Sequence, residues 1–325
     1  MAYQPPIANP DNKAKLDMIG ENKFYPAYNS EAATHRNLKK RNAYQSFWFT
    51  LMWLCGLVTL VVLLLVVGYV IIKGGSSISW EFLTSAPRGG LSGDGGISTT
   101  MGTTLYLVLL TLLIATPLGV GAAIYLIEYA GEQSLTSPVL RALISIANFA
   151  VETLAGIPSI IFGLFGYALF VSTLNFGWSL LSASLAGACL VLPTIIRTTE
   201  EALLAVPDDY RRGSLALGAT KWQTLYKVVL PAGLPGIITG IVLSVGRVIS
   251  ETAVFFVTLG GSHRLPTSIM DGGRSLALHL YYLAMDTRAF DKAMGTGAVL
   301  IVLIVLVNLI INLISSKLTA GVRQR

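Results

Sequence analysis

The sequence predicts an all-α membrane protein that crosses the bilayer six times. First, 53% of its 325 residues are hydrophobic and only 12% are charged, whereas a soluble domain carries about 25% charged residues. Second, six stretches are each apolar over about 20 residues, the length that a transmembrane helix needs. Because lipid cannot hydrogen-bond to backbone groups, these stretches must be helical. The composition excludes a disordered chain, a coiled coil and a disulfide scaffold.

The first 46 residues are predicted to form a flexible cytoplasmic tail, because they are polar and contain four prolines. The first apolar region begins only at Phe47, too far along the chain for a cleavable signal peptide, so it is expected to stay as a membrane anchor. The predicted spans are residues 47–72, 100–129, 142–172, 177–196, 232–260 and 294–316. The core, residues 100–317, follows an external loop at 73–99, contains a cytoplasmic loop at 198–231 and precedes a cytoplasmic C-terminus at 318–325.

The distribution of basic residues predicts the orientation. With the tail in the cytoplasm, sixteen of the 23 Lys and Arg residues lie on that side, six lie outside, and Arg247 lies within the membrane. By the positive-inside rule, both termini are therefore cytoplasmic. The net charge of +6 reflects this topology, and no nucleic-acid partner is expected.

A polar stripe runs along the fifth predicted span. At 100° per residue, one helix face carries Gly240, Ser244, Arg247, Glu251 and Thr258. Because an ionisable group at the bilayer centre costs about 2.5–3.5 kcal/mol, two such groups in one span need a reason. Either Arg247 and Glu251 neutralise each other at i,i+4 spacing, or they line a polar path for a charged solute.

The third predicted span repeats this pattern, with Asn148, Glu152 and Ser159 on one face. Pro158 removes a backbone hydrogen bond and is predicted to kink the helix beside the carboxylate. A helix break next to an intramembrane acid is typical of a transport path. For Pro158 alone, a purely structural kink explains the residue equally well.

Several local patterns predict connections. Spans three and four are expected to form a tight hairpin around Asn175, and residues Leu276–Met285 a helix that lies against the bundle. Gly236 and Gly240 form a GxxxG pattern for close helix packing. The cytoplasmic loop is predicted to be a helix, a turn at Gly218 and a second helix capped by Thr220 and Gln223.

Enzyme motifs are missing from the sequence. It contains no Gly-Lys pair and therefore no phosphate-binding P-loop. The three histidines are scattered, and Cys55 and Cys189 lie in apolar runs without metal-ligand spacing. The chain is therefore expected to bind no metal or cofactor, and energy for any transport is expected to come from another protein.

The cytoplasmic loop resembles the EAA loop of permease subunits in ATP-binding-cassette importers. In both, a glycine, here Gly218, is followed by nine residues and then by an aliphatic-x-Leu-Pro sequence, here Val228 to Pro231. The resemblance implies that residues Leu215, Ala216, Leu217, Gly218, Ala219, Thr220, Lys221 and Trp222 dock into a separate ATPase. At the head of the motif, Arg212-Gly-Ser stands where Glu-Ala-Ala is usual.

Among these importers, the chain resembles the phosphate permeases of the PstA type. Four stretches carry the resemblance: Gly95 to Ser98, Glu152 to Gly166, Gly246 to Ala253, and Leu265 to Tyr281. The resemblance implies the MetI-like permease fold in a bacterial inner membrane, a heterodimer with a sister permease of the PstC type, an ATPase dimer that binds ATP and Mg²⁺, and an external phosphate-binding protein.

These features together lead to one functional hypothesis: a subunit that imports inorganic phosphate by alternating access. Arg247 would contact the anion, because a guanidinium stays charged and its donors match an oxyanion, and Glu251 would hold that guanidinium in place. The predicted pathway residues are Arg247, Glu251, Glu152, Ser244, Thr252, Asn148 and Ser159. A permease for molybdate or sulfate is the main alternative; a secondary transporter would need internal repeats, and a signalling or scaffold subunit would not need the polar stripe.

Overall fold

A computed structural model describes residues 31–89, 93–130 and 138–323. Residues 1–30 of the predicted tail, residues 90–92 and 131–137, and the last two residues lie outside the described part. The chain divides into two compact units, one up to Val66 and one from Val67 onward. The boundary falls within the first helix.

Twelve α-helices and one short hairpin make up the described residues. The helices are α1 (Glu31–Gly75), α2 (Trp80–Thr84), α3 (Ser98–Ile124), α4 (Pro138–Ala155), α5 (Ser159–Gly166), α6 (Leu180–Leu204), α7 (Asp208–Ala216), α8 (Lys221–Thr224), α9 (Leu230–Ser250), α10 (Ala253–Thr258), α11 (Leu276–Met285) and α12 (Phe290–Arg323). Three π-helical segments continue α3, α5 and α8: Tyr125–Tyr129, Tyr167–Thr173 and Leu225–Val229. Strands β1 (Pro87–Gly89) and β2 (Asp94–Gly95) pair antiparallel.

Six of the described helical stretches are long and apolar enough to cross a membrane, which confirms the predicted number of spans. They are Tyr44–Gly75, Ser98–Tyr129, Pro138–Ala155, Leu180–Leu204, Lys221–Ser250 and Phe290–Lys317. The first span begins at Tyr44, close to the predicted Phe47, but the prediction of a flexible tail was wrong for residues 31–46. Helix α1 begins at Glu31, inside the segment expected to be a flexible tail, because its residues 31–46 have no proline and continue the helix of the apolar span.

Helix α6 forms the centre of the second unit. It packs against α3 on one side and α9 on another, and small side chains such as Ala183, Ala186 and Ala188 are buried along it. The predicted GxxxG packing is confirmed, because a Cβ atom at Gly236 would lie 2.5 Å from Cβ of Ala202 on α6, and one at Gly240 would collide with Thr198. The two helices therefore approach at backbone distance.

The third predicted span is broken rather than kinked. Helix α4 ends at Ala155, and α5 begins at Ser159 with Pro158 as its N-cap, in an extended conformation (ψ 137°). Proline fits this position because a residue that precedes the helix needs no intrahelical N–H bond. The expected tight connection to the fourth span is confirmed: Asn175 and Gly177 adopt positive φ angles of 54° and 65° just before α6.

The loop between the fifth and sixth spans packs against the spans. Helix α11 covers the predicted residues Leu276–Met285, and its Leu276, Leu278 and Leu283 are buried. Ser275 caps its first turn, and the Thr104 hydroxyl on α3 accepts a hydrogen bond from the backbone N–H of Leu276 at 2.8 Å. The prediction that this segment lies against the bundle is therefore confirmed.

Candidate functional site

The predicted polar stripe ends with helix α9. The backbone of Glu251 is extended (ψ 128°), and α9 stops at Ser250. The Glu251 carboxylate instead accepts hydrogen bonds from the backbone N–H groups of Ala253 (3.0 Å) and Val254 (3.3 Å), which begin α10. The prediction of one continuous helix from Ser244 to Thr258 was therefore wrong, because a side-chain cap starts a new helix.

Arg247 lies in the last turn of α9 and is exposed. Among the described residues, its guanidinium has no hydrogen-bond or ion-pair partner, and the pairing with Glu251 expected from i,i+4 spacing does not form. Ser244 does not share the exposed surface of Arg247. It is fully buried, and its hydroxyl donates to the carbonyl oxygen of Gly240 at 2.9 Å.

A second charged cluster joins helices α4 and α6. Arg197 Nη2 donates to Glu152 Oε1 at 2.5 Å, and Arg197 Nη1 donates to Glu200 Oε2 at 2.9 Å. The Glu152 side chain is 68% exposed, whereas that of Glu200 is 7% exposed. The cluster therefore runs from the interior of the subunit to its surface.

Sequence reasoning missed Arg197 and Glu200. The fourth span was predicted to end at residue 196, so Arg197 was counted as a cytoplasmic loop cation. In the structure α6 continues to Leu204, and both residues lie in its last two turns. Their i,i+3 spacing on one helix was the available signal.

The remaining predicted pathway residues lie near the two helix breaks. Asn148 is half-buried on α4, one turn before Glu152, and half-buried Ser159 is the first residue of α5. Thr252, also half-buried, separates α9 from α10. Of these residues, the structure brings Glu152 into contact with Arg197. Their roles in transport stay predictions.

The exposed charges constrain what surrounds the subunit. Arg247 is the only charged residue of α9, Glu152 lies in the last turn of α4, and neither side chain is buried within this chain. An ionised side chain facing hydrocarbon costs several kcal/mol, so such residues normally face protein or a water-filled cavity. The surface around each of these residues therefore fits contact with water or another polypeptide better than contact with lipid tails.

The loop between the fourth and fifth spans has the predicted helix–turn–helix form. Gly218 connects α7 to α8 with φ +84°, a conformation that costs glycine little. Thr220 and Gln223 form the predicted capping box. The tip is apolar and exposed: Leu217 is 90% exposed, and the exposed rings of Trp222 and Tyr226 stack with centroids 6.5 Å apart.

The head of this loop departs from the EAA pattern, and its contacts differ accordingly. Arg212 is exposed, whereas the hydroxyls of Ser214 on α7 and Thr224 on α8 are 2.9 Å apart. This hydrogen bond joins the two short helices directly.

A polar cluster also lies in the loops between spans one and two and between spans five and six, around a cavity of about 160 Å³. The Arg274 guanidinium lies over the Tyr282 ring, 4.2 Å from its centroid, and Arg274 Nη1 is 3.5 Å from His279 Nδ1. Burial, the charge of Arg274 and then His263 lower the pKa of His279 to about 3. Burial and Arg274 also lower the pKa of His263. The cluster therefore holds neutral imidazoles around one half-buried cation.

Comparison with known proteins identifies relatives over most of the chain. Residues 141–324 match the family model of the binding-protein-dependent transport system inner membrane component. The chain is 36% identical to the phosphate transport system permease protein PstA of Mycobacterium leprae (strain TN) over 276 residues, which cover 83% of this chain and 86% of that protein. It is 32% identical to the probable ABC transporter permease protein YqgI of Bacillus subtilis (strain 168) over 288 residues, which cover 82% and 95%.

A solved structure has the same fold. A chain of a bacterial alginate ABC transporter, in complex with its alginate pentasaccharide-bound periplasmic protein, matches with a TM-score of 0.61. The match covers 86% of this chain and 97% of that chain at 15% sequence identity. At this identity the likeness concerns the fold alone.

Proposed function

Because the chain belongs to the family of binding-protein-dependent transport system inner membrane components, we propose that it is the permease subunit through which an ATP-driven importer moves inorganic phosphate across the bacterial inner membrane. PstA relatives at 32–36% identity, including those of Mycobacterium leprae and Haemophilus influenzae, support phosphate as the substrate.

The exposed guanidinium of Arg247, without a partner among the described residues, is the observation that carries this proposal. A guanidinium stays charged and presents a planar fork of donors, which suits the oxygens of phosphate. The proposed path also includes four polar residues near the two helix breaks: Asn148, Glu152, Ser159 and Thr252. Glu251 shapes the path by capping α10. Ser244 supports α9 from the interior.

Two surfaces that the subunit leaves uncovered support an assembly with partner chains. The surface with Arg247 and Glu152 meets a sister permease of the PstC type, so that the two chains enclose a path of alternating access. The exposed tip around Leu217 and Trp222 docks into an ATPase dimer, which binds ATP and Mg²⁺. This chain binds no cofactor, and an external phosphate-binding protein delivers the anion from the other side.

Uptake by the purified complex tests the function. The four-component importer in proteoliposomes, with ATP inside, should accumulate radiolabelled phosphate only when the binding protein is outside. Molybdate and sulfate serve as competitors. Accumulation of either anion in preference to phosphate would overturn the substrate assignment, and uptake without the ATPase would overturn the importer class.

Cysteine labelling tests the orientation, with both termini in the cytoplasm. Leu217 and Arg264 are both exposed and lie on opposite sides in this topology. Leu217→Cys and Arg264→Cys, each in a background without Cys55 and Cys189, should react with an impermeant thiol reagent from the inside and the outside, respectively. Labelling of both from outside intact cells would refute the topology.

A further inference from the structure

Arg211 is the most extensively bonded cation among the described residues. It lies on α7, and its side chain is only 17% exposed. Its Nε and Nη2 atoms donate to Glu128 Oε1 at 3.1 and 2.8 Å. Its Nη2 and Nη1 atoms also donate to the carbonyl oxygens of Leu203 and Val206, each at 2.8 Å. A further bond of 3.3 Å reaches Asp208.

These bonds join three separate parts of the fold. Glu128 lies in the π-helical segment Tyr125–Tyr129 at the end of the second span, and Leu203 lies in the last turn of α6. The last carbonyls of a helix have no intrahelical donors, and a cation near them is favourable. The helices α7 and α8, with the turn at Gly218 between them, are called the docking loop below. One guanidinium thus connects the docking loop to the adjacent ends of two spans.

Apolar side chains pack beside the Arg211–Glu128 ion pair and add contacts between the same parts of the fold. Leu203 and Val206 form a buried cluster with Leu225 and Val229, and Ile127 packs against it. Lys221, the first residue of α8, lies over the ring of Tyr129, 5.1 Å from its centroid. Both short helices of the docking loop therefore contact the end of the second span.

From this geometry we propose that Arg211 and Glu128 are positioning residues that transmit movement of the docking loop to the second span. The inference rests on the proposed function, in which an ATPase moves this loop. Arg211 does not touch the transported anion, and the exposed tip at Leu217 and Trp222 is separate from it. Loss of the pair should therefore leave ATPase docking intact and make the loop move without carrying the span along.

The number of phosphate ions imported per ATP hydrolysed measures this transmission directly. In the reconstituted importer, Arg211→Met should lower that ratio about 2- to 30-fold, the range in which residues of a coupling network act, while ATP hydrolysis continues. Glu128→Gln keeps the shape and one acceptor but removes the charge, and should lower the ratio less. Arg211→Lys keeps the charge without the fork, and should rescue only part of it.

Arg212 provides the matched control, because it is the next residue on α7 and is exposed. Arg212→Met should keep the wild-type ratio. Wild-type ratios in both Glu128→Gln and Arg211→Lys would overturn the inference, even if Arg211→Met fails to assemble, because the pair would then only stabilise the fold. The ratio can be measured with whichever anion the wild-type importer carries, so failure of phosphate as substrate and failure of this inference give different results.

Discussion

Arg247 and Glu251 are separated by the end of a helix, although their i,i+4 spacing would place both side chains on one face of a continuous helix. Arg247 belongs to the last turn of α9, and the Glu251 carboxylate bonds to the first amides of α10. The two charges therefore differ in their contacts. The Arg247 guanidinium has no partner among the described residues, whereas the Glu251 carboxylate is bonded to the backbone at the helix break.

Replacement of Arg247 should separate transport from stability. Since the guanidinium makes no hydrogen bond or ion pair with the described residues, Arg247→Ala should assemble at wild-type levels while phosphate uptake falls below one tenth, about the effect of losing one charge-assisted contact of 1.5–3 kcal/mol. Arg247→Lys should restore uptake poorly, because an ammonium lacks the planar fork. Uptake rates normalised to purified complex provide the measurement.

The opposite result is expected for Glu251. Glu251→Leu removes the cap of α10 and leaves the amides of Ala253 and Val254 without an acceptor, so it should lower the melting temperature of the complex. The double change of Arg247 and Glu251 to leucine should be no more stable than Glu251→Leu alone. Restored assembly and uptake in the double variant would mean that the two charges merely neutralise each other.

The three charged residues of the cluster, Arg197, Glu152 and Glu200, should differ in their contribution to stability. Arg197→Met leaves the Glu200 carboxylate buried without its cation, which should cost about 1–3 kcal/mol. Glu152→Gln should cost under about 1 kcal/mol, because an exposed ion pair contributes little. Thermal unfolding of the detergent-purified subunit can rank the variants. Combining Arg197→Met with Glu200→Leu should recover most of the loss, and an unchanged loss would argue against an unpaired charge as its cause.

Two glycines in the docking loop form a matched pair. A Cβ atom would meet nothing within 4 Å at either Gly213 or Gly218, and only Gly218 has a positive φ. Gly218→Ala should therefore cost about 1 kcal/mol through backbone strain alone and weaken association with the ATPase. Gly213→Ala lies within a helix and should be neutral or stabilising. Equal binding of both variants in a co-purification assay would contradict a conformational role for Gly218.

Acidification should destabilise the outer loops through His279. Its pKa is about 3 in the folded protein and about 6.5 when unfolded, so the unfolded chain binds the extra proton between these values. The contribution of His279 to stability should be constant well above pH 6.5 and fall by up to about 1.4 kcal/mol per pH unit below it. Melting temperatures between pH 7.5 and 4.5 should show this slope. His279→Asn should flatten it, and an unchanged slope would assign the effect to other groups.

Local patterns made part of this structure predictable. Hydropathy alone marked the six spans, and the order of Gly218, Thr220 and Gln223 defined the turn and its cap. The break at Glu251 was not predictable in this way, since residues 248–257 contain neither glycine nor proline and the cap depends on a side chain folding back. The contact between Glu152 and Arg197 joins residues 45 positions apart, which no helical periodicity relates.

The capping of α10 by Glu251 bears on how long a transported anion can remain beside it. Free amides at the start of a helix attract anions, yet these are already occupied by a carboxylate attached to the same chain. Such a tethered group acts at an effective concentration on the order of millimolar or higher. A phosphate ion that reached Arg247, as proposed, would therefore meet a resident competitor at these amides instead of a second anion-binding site.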